Sequence, residues 1–334
     1  MDYLTCLPPS RFLLHPPVEI AGAWSREEQR RLQQFPFLMP QKLAEAVHWQ
    51  DENDPLRRQF LPTAAELVDD QACQDDPLAE QSATPLPGLI HKYRGRVLLL
   101  LTQACAVHCR YCFRRQTRTT SAPLPHTLEQ WQPALRYIAC DSSIQEVILS
   151  GGDPLMVPNR LLIQLTEALS AIPHVGRIRI HSRVPVVWPE RVDADLLGWL
   201  SSITGHERIR TFMVLHVNHG RELTESARYT LAKLADCGLL LLNQSVLLRG
   251  VNDDRSVLVA LSEQLLTLRI LPYYLHLLDP VTGAGHFAVP EQHARQLLAQ
   301  MQADLPGYGV PRLVRERPGA AAKVLYCVDD PVDR

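Results

Sequence analysis

From Val97 onward the chain alternates short apolar runs with helical segments, and this rhythm restricts the fold more than any other feature of its 334 residues. The runs are VLLLLT (97–102), EVILSG (146–151), RIRIHS (177–182), RTFMVLH (210–216), LLLLNQSVL (239–247) and LPYYLHLL (271–278). The segments between and after them, such as TLEQWQPALRYIA and PEQHARQLLAQM, space their apolar residues as helices do, and several open with Asp, Asn, Pro or Thr. Strands separated by helices form parallel sheets through right-handed crossovers. Six such units build either an open doubly wound sheet or an incomplete barrel. No G-x-G-x-x-G turn follows the first run, which disfavours the nucleotide-binding open sheet. The expected fold is therefore α/β, a partial (β/α)6 barrel of the TIM type.

The chain divides by pattern into three regions. Residues 1–90 read as a proline-punctuated helical extension with short helices at 25–35, 40–49 and 63–70, closed by a linker at 75–88 rich in Pro, Ser and acid. The barrel is expected over 91–310 and a C-terminal segment over 311–334. A formal charge of −2 gives no reason to expect nucleic acid or a membrane surface as partner. The start, MDYLTCLPPSRFLLHPP, lacks the basic-then-apolar order of a signal peptide. No apolar run is long enough to span a bilayer. A cytoplasmic location is expected.

In a barrel of this kind, residues just past the carboxyl ends of the strands share one rim, where active sites form. The runs deliver polar groups there in turn: CAVHCRYCFRR, SGGDP, His181 and Arg183, HVNH (216–219), Asn243 to Ser245, and Asp279. Of eight cysteines, Cys6, Cys73, Cys140, Cys237 and Cys327 are scattered and read as small buried hydrophobes. Cys105, Cys109 and Cys112 form C-x3-C-x2-C at the end of the first strand. A structural zinc site closes with four protein ligands, usually from two pairs, and no second pair exists. His108 is a conceivable fourth ligand but adjoins Cys109 in a short loop. Three thiolates on a four-iron cluster would leave one iron open to a small molecule.

This spacing, with Tyr111 before the last cysteine, resembles the radical S-adenosylmethionine (SAM) superfamily. The resemblance implies that SAM completes the cluster and is cleaved to an adenosyl radical. It also implies that Gly151, Gly152 and Asp153 of SGGDP lie against SAM, with glycine removing bulk where backbone meets ligand. The likeness narrows further. LPGLIHKYRGRVLLLLTQACAVHCRYCFRR, LSGGDPL, SRVPVVWPER, NQSVLLRGVND, PYYLHLLDPVTGAGHF and PGAAAK are similar to segments of lysine 2,3-aminomutases, in order, from Leu86 to Lys323.

Membership of that family would imply a radical SAM barrel that also carries pyridoxal 5′-phosphate (PLP) as a Schiff base on Lys323. Three alanines precede this lysine where the family has glycines. By the same likeness Lys92 and Arg96 hold the PLP phosphate, and His216 and Gln244 lie near SAM. Arg114 takes the substrate carboxylate in a fork, and Asp279 with Glu316 clamps the distal ammonium of L-lysine. The family has aspartate where Glu316 stands. The implied reaction moves the 2-amino group of lysine to carbon 3.

Asp254 stands where clostridial-type relatives place a cysteine, and no structural zinc is expected. The short segment after Lys323 resembles the bacterial branch that makes β-lysine for elongation factor P and passes it to a separate ligase. An electron donor such as flavodoxin or ferredoxin is implied. Three other readings remain: a radical SAM reaction without PLP, an aminomutase for arginine or glutamate, and a zinc or electron-transfer module that binds a partner.

Overall fold

The structure is a computed structural model and describes residues 10–17, 25–68, 70–116 and 123–327. Cys6 and most of the segment considered for a signal peptide lie outside the described residues. Two short strands, β1 (Phe12–Leu13) and β2 (Met39–Pro40), pair with each other. The main sheet runs in chain order through β3 (Leu89–Tyr93), β4 (Arg96–Thr102), β5 (Glu146–Gly151), β6 (Arg177–Ser182) and β7 (Arg210–Leu215). It continues with β8 (Leu240–Leu247), β9 (Ile270–Leu277), β10 (Arg312–Arg315) and β11 (Val324–Leu325). Strands β4 to β10 are parallel, while β3 and β11 pair antiparallel at the two edges. A single cavity is lined by side chains from β3 through β11, so the sheet curls around it as an incomplete barrel.

Side-chain alternation explains the curl. Along β4, Val97, Leu99 and Leu101 are buried toward the helices, while Arg96, Leu98 and Leu100 are only partly buried. On β6, Ile178 and Ile180 are buried in the core, whereas Arg177, Arg179 and His181 line the cavity. Period-two alternation thus separates an apolar outer face from a polar inner one. The helices over Leu128–Cys140, Asn159–Ser170, Ala194–Thr204, Glu225–Asp236, Arg255–Thr267 and Glu291–Asp304 cover the outer face. Their starts have local causes. Thr127 and Gln130 form a capping box, and the carboxylates of Asp193 and Asp254 accept from backbone N–H groups two or three residues on. Asp254 therefore serves as a helix cap.

Three expectations need correction. The parallel sheet has a seventh strand, β10, which the pattern missed because only Leu313 and Val314 of its four residues are buried. The N-terminal helices shrink to Arg26–Leu32 and Gln41–Glu45, and 64–67 is a single 3-10 turn. Nor are the scattered cysteines among the described residues in the core: Cys140 and Cys327 are exposed, and Cys73 and Cys237 only half-buried.

The N-terminal region packs into the same core as the barrel, with Phe12, Phe37, Leu38, Met39 and Phe60 in one cluster with β4 and β5 residues. It also grips the loop after β4. His108 N donates to Leu38 O (3.0 Å) and Arg110 N to Gln59 O (2.9 Å). Arg110 is fully buried and forks onto Glu66 through Nε (2.8 Å) and Nη2 (2.7 Å). Arg115 Nη2 reaches the same carboxylate at 2.5 Å. Burial alone would raise the Glu66 pKa, but Arg110 and Arg115 hold it below the ordinary carboxylate range.

A carboxylate held low in the folded state adds stability that is present above its unfolded pKa and lost as pH falls through its folded one. Glu66→Gln strands two buried guanidinium groups and is expected to cost about 3–5 kcal/mol. It should also flatten the acid limb of stability. Urea unfolding at neutral and acidic pH checks both, and a variant as stable as the parent would contradict this account.

Candidate active site

The cavity has a volume of about 760 Å³, and its wall includes Cys105, Cys109 and Cys112 together with Lys323. The cysteines follow β4 in a loop without regular structure, each half-buried. Among the described residues, no three His, Cys, Asp or Glu side chains are gathered as one metal ion would require. Ligands of a four-iron cluster sit on separate irons and so spread more widely. His108 engages the N-terminal region: it is buried, its Nδ1 lies 2.7 Å from Pro36 O, and it stacks on Phe35 at 5.0 Å.

The glycines of SGGDP line the cavity and also have a packing task. Gly151 has φ +126, and a β-carbon there would strike the Thr102 carbonyl. A β-carbon on Gly152 would strike the Ala104 carbonyl. Their small size lets β5 dock on the cysteine loop, where Gly152 N donates to Thr102 O (2.6 Å) and Asp153 N to Ala104 O (2.8 Å). Asp153 lines the cavity, but its carboxylate is buried and taken by its own chain. It accepts from Leu155 N (3.0 Å), Ser182 Oγ (2.8 Å), Arg183 N (2.7 Å) and Val184 N (3.1 Å). Burial pushes its pKa up to about 6, and these donors limit the rise. Asp153 thus ties the end of β6 to the end of β5.

Tyr111, His216 and Gln244 share the cavity. Tyr111 stacks on His216 at 5.7 Å, and its hydroxyl lies 2.8 Å from His216 Nε2. Burial, then the nearby Arg183, hold His216 well below its ordinary pKa, so it is neutral.

Lys323 lies beside Tyr274, with Nζ 5.8 Å from the ring centroid, and donates to Glu316 Oε2 at 2.6 Å. Glu316 Oε1 takes Lys92 at 2.7 Å, and Lys92 also donates to Leu78 O at 2.9 Å. Burial opposes the charge on Glu316, but the two lysines pull its pKa down to about 2. Asp279 behaves oppositely. Burial, then the Glu316 charge, pushes its pKa up to about 7, and its buried Oδ1 has no hydrogen-bond partner. Arg96 lies 4.6 Å over the Tyr93 ring. Arg114 forks onto Glu80 through Nε and Nη2, both at 2.7 Å, and Nη1 donates to Gly151 O at 3.2 Å.

Glu80 is one of the residues that sequence reasoning missed, because the segment 75–88 read as a linker. Instead Leu78 and Glu80 line the cavity. Another is His276, whose Nε2, like that of His181 at the end of β6, is shut off from solvent without a hydrogen-bond partner. Burial holds both rings neutral, His276 down to about 3. His181, expected at the rim, shares the inner face of β6 with Arg177 and Arg179.

The thiols, the lysine amine and the orphaned acid and imidazole atoms all belong to one cavity. Buried polar atoms without partners are what a polar cofactor and substrate would satisfy. The donor set therefore fits an iron–sulfur cluster, SAM, PLP and a cationic amino acid together. Gly152→Ala is expected to cost about 1–3 kcal/mol by overpacking and to lower iron and sulfide per chain. Urea unfolding and metal analysis test it, and unchanged values for both would show that the two loops have slack.

Residues 93–176 match the model of a 4Fe-4S single cluster domain. The chain is 42% identical over 292 residues to L-lysine 2,3-aminomutase of Haemophilus influenzae, covering 87% of this chain and 85% of that one. It is 42% identical over 294 residues to the Escherichia coli protein of the same name, covering 86% and 82%. To L-lysine 2,3-aminomutase of Clostridium subterminale it is 39% identical over 274 residues, covering 82% of this chain and 64% of that protein. The chain belongs to the L-lysine 2,3-aminomutase family.

Proposed function

We propose that this protein converts L-lysine to β-lysine by moving the 2-amino group to carbon 3, using a four-iron cluster, SAM and PLP. The observation that carries the reading is the meeting of Cys105, Cys109 and Cys112 with Lys323, Asp279 and Glu316 around one cavity. When bound, the cluster with SAM supplies a carbon radical, and PLP supplies the π system across which an amino group passes between adjacent carbons.

The chain's own residues bind, orient and hold protons. The three cysteines hold the cluster, with Gly151 and Gly152 setting the loop. His216 and Gln244 flank SAM. Lys323 carries PLP, and Arg96 with Lys92 offers charge to its phosphate. The amine of Lys323 must shed a proton to react. Glu316 is too weak a base to take it, whereas Asp279 ionises near neutrality and can hold it at Oδ1. Arg114 offers a fork to the substrate carboxylate, with Glu80 as its internal competitor. Asp279 and Glu316 favour a cationic side chain over that of glutamate. The enclosing sheet keeps water from radical intermediates.

The branch resemblance extends the proposal to elongation factor P as destination of the β-lysine, through a separate ligase, with flavodoxin or ferredoxin as electron source. No helix among the described residues is long and apolar enough to cross a membrane.

An anaerobic assay of lysine with SAM, PLP and reductant should yield β-lysine in the parent, and none in Lys323→Ala, which keeps its iron and sulfide. A Lys323→Ala variant as active as the parent would refute the assignment. Asp279 gives a second test. Its raised folded pKa means the folded state binds the proton more tightly, so stability falls as pH rises through about 7. Asp279→Asn should therefore raise the melting temperature at pH 8 while weakening lysine binding at least tenfold. Lysine binding by the parent should weaken as pH drops below about 7. Tighter binding at pH 6 than at pH 8 would exclude this role.

A further inference from the structure

We propose that Arg183 is a positioning residue for the cluster, setting its reduction potential through a buried hydrogen bond to the sulfur of Cys109. The inference rests on the reading that Cys105, Cys109 and Cys112 hold a four-iron cluster. Arg183 follows β6 and is buried. Its Nη1 meets Cys109 Sγ at 2.7 Å and Tyr111 Oη at 2.6 Å. Its Nη2 meets Glu222 Oε2 at 2.6 Å and Gln59 Oε1 at 2.8 Å. The guanidinium also lies 4.7 Å over the Phe60 ring.

Every part of this arrangement is fixed. The Arg183 backbone N–H is held by Asp153. Glu222 is buried, and its Oε1 accepts from Asn218 N (2.9 Å), His219 N (3.0 Å) and Gln59 Nε2 (3.1 Å). A guanidinium pinned between an acid, an amide and a ring has one orientation, and in it an N–H points at a cluster ligand. Such donors stabilise the reduced cluster, which carries one more electron, and so raise its potential. Low local dielectric strengthens the effect, and Glu222 offsets the formal charge without removing the N–H dipole. The sulfur contact has no structural purpose that Glu222, Gln59 and Tyr111 do not already serve.

The test is an anaerobic redox titration of reconstituted holoenzyme with dithionite and mediator dyes, followed by electron paramagnetic resonance. Parent, Arg183→Gln and Arg183→Lys are compared, each with iron, sulfide and far-ultraviolet circular dichroism measured first. Arg183→Gln should keep its cluster, and its reduced fraction at a fixed potential should fall about tenfold, a shift of about 59 mV to more negative values for a one-electron couple. Arg183→Lys is too short to reach Glu222 and Cys109 together and should shift the same way by less. It is the deciding variant if the glutamine form does not assemble. A full cluster with the parental midpoint in whichever variant assembles overturns the proposal. A parent that binds no four-iron cluster overturns the underlying reading instead.

Discussion

The buried fork between Arg110 and Glu66 is the contact on which the site depends. The cysteine loop has no helix or strand of its own, so its shape comes from what surrounds it. Arg110 lies between Cys109 and Tyr111 in sequence, and its guanidinium reaches back to Glu66 and Phe35 O. Buried ion pairs contribute little net stability but penalise any arrangement that separates them. The N-terminal region thus acts as a jaw that fixes one side of the loop, while Gly151 and Gly152 of β5 fix the other.

The same logic links strands that do not touch. Asp153 accepts from the turn after β6, that turn carries Arg183, and Arg183 meets Cys109, Tyr111, Gln59 and Glu222. The ends of β4, β5, β6 and β7 and the helix Pro55–Phe60 are therefore joined through one polar network. A fully satisfied buried network specifies geometry more tightly than apolar packing does. That suits a centre whose ligands come from one irregular loop.

Much of this was legible in the sequence, and the failures have physical reasons. The runs 146–151 and 177–182 coincide with β5 and β6, the first a short continuous buried run and the second a clean alternation, both strand signals. Lys323 and the cysteine triad were placed by motif and do share a cavity. β10 escaped notice because two buried residues carry no periodicity. The segment 75–88 has a linker's composition, yet Pro and acid suit a strap whose backbone caps Lys92 and whose Glu80 engages Arg114. Composition reports solvation of a segment and is blind to one acid aimed inward. Gly151 and Gly152 were read as room for a ligand; they line the cavity and also permit a tight backbone crossing, which has the same sequence signature.

The cavity's charges follow a pattern that bears on how a charged substrate enters. Arg114 is matched by Glu80, Arg183 by Glu222, and Lys92 with Lys323 by the two oxygens of Glu316. A shorter aspartate would find this bridge harder to span, which gives the extra methylene of Glu316 a purpose. Each of these cations thus has an acid partner within the fold, and burial does not leave it exposed to its full desolvation cost. Under the proposed function, a substrate carboxylate that displaced Glu80 would exchange one acid for another, so Arg114 would not be left bare. The Oδ1 of Asp279 has no hydrogen-bond partner, and burial raises its pKa to about 7, so it is poised between its two forms at neutral pH. Under the proposed function, an entering ammonium would change that balance most at Asp279, concentrating selectivity for a cationic side chain on one carboxyl group.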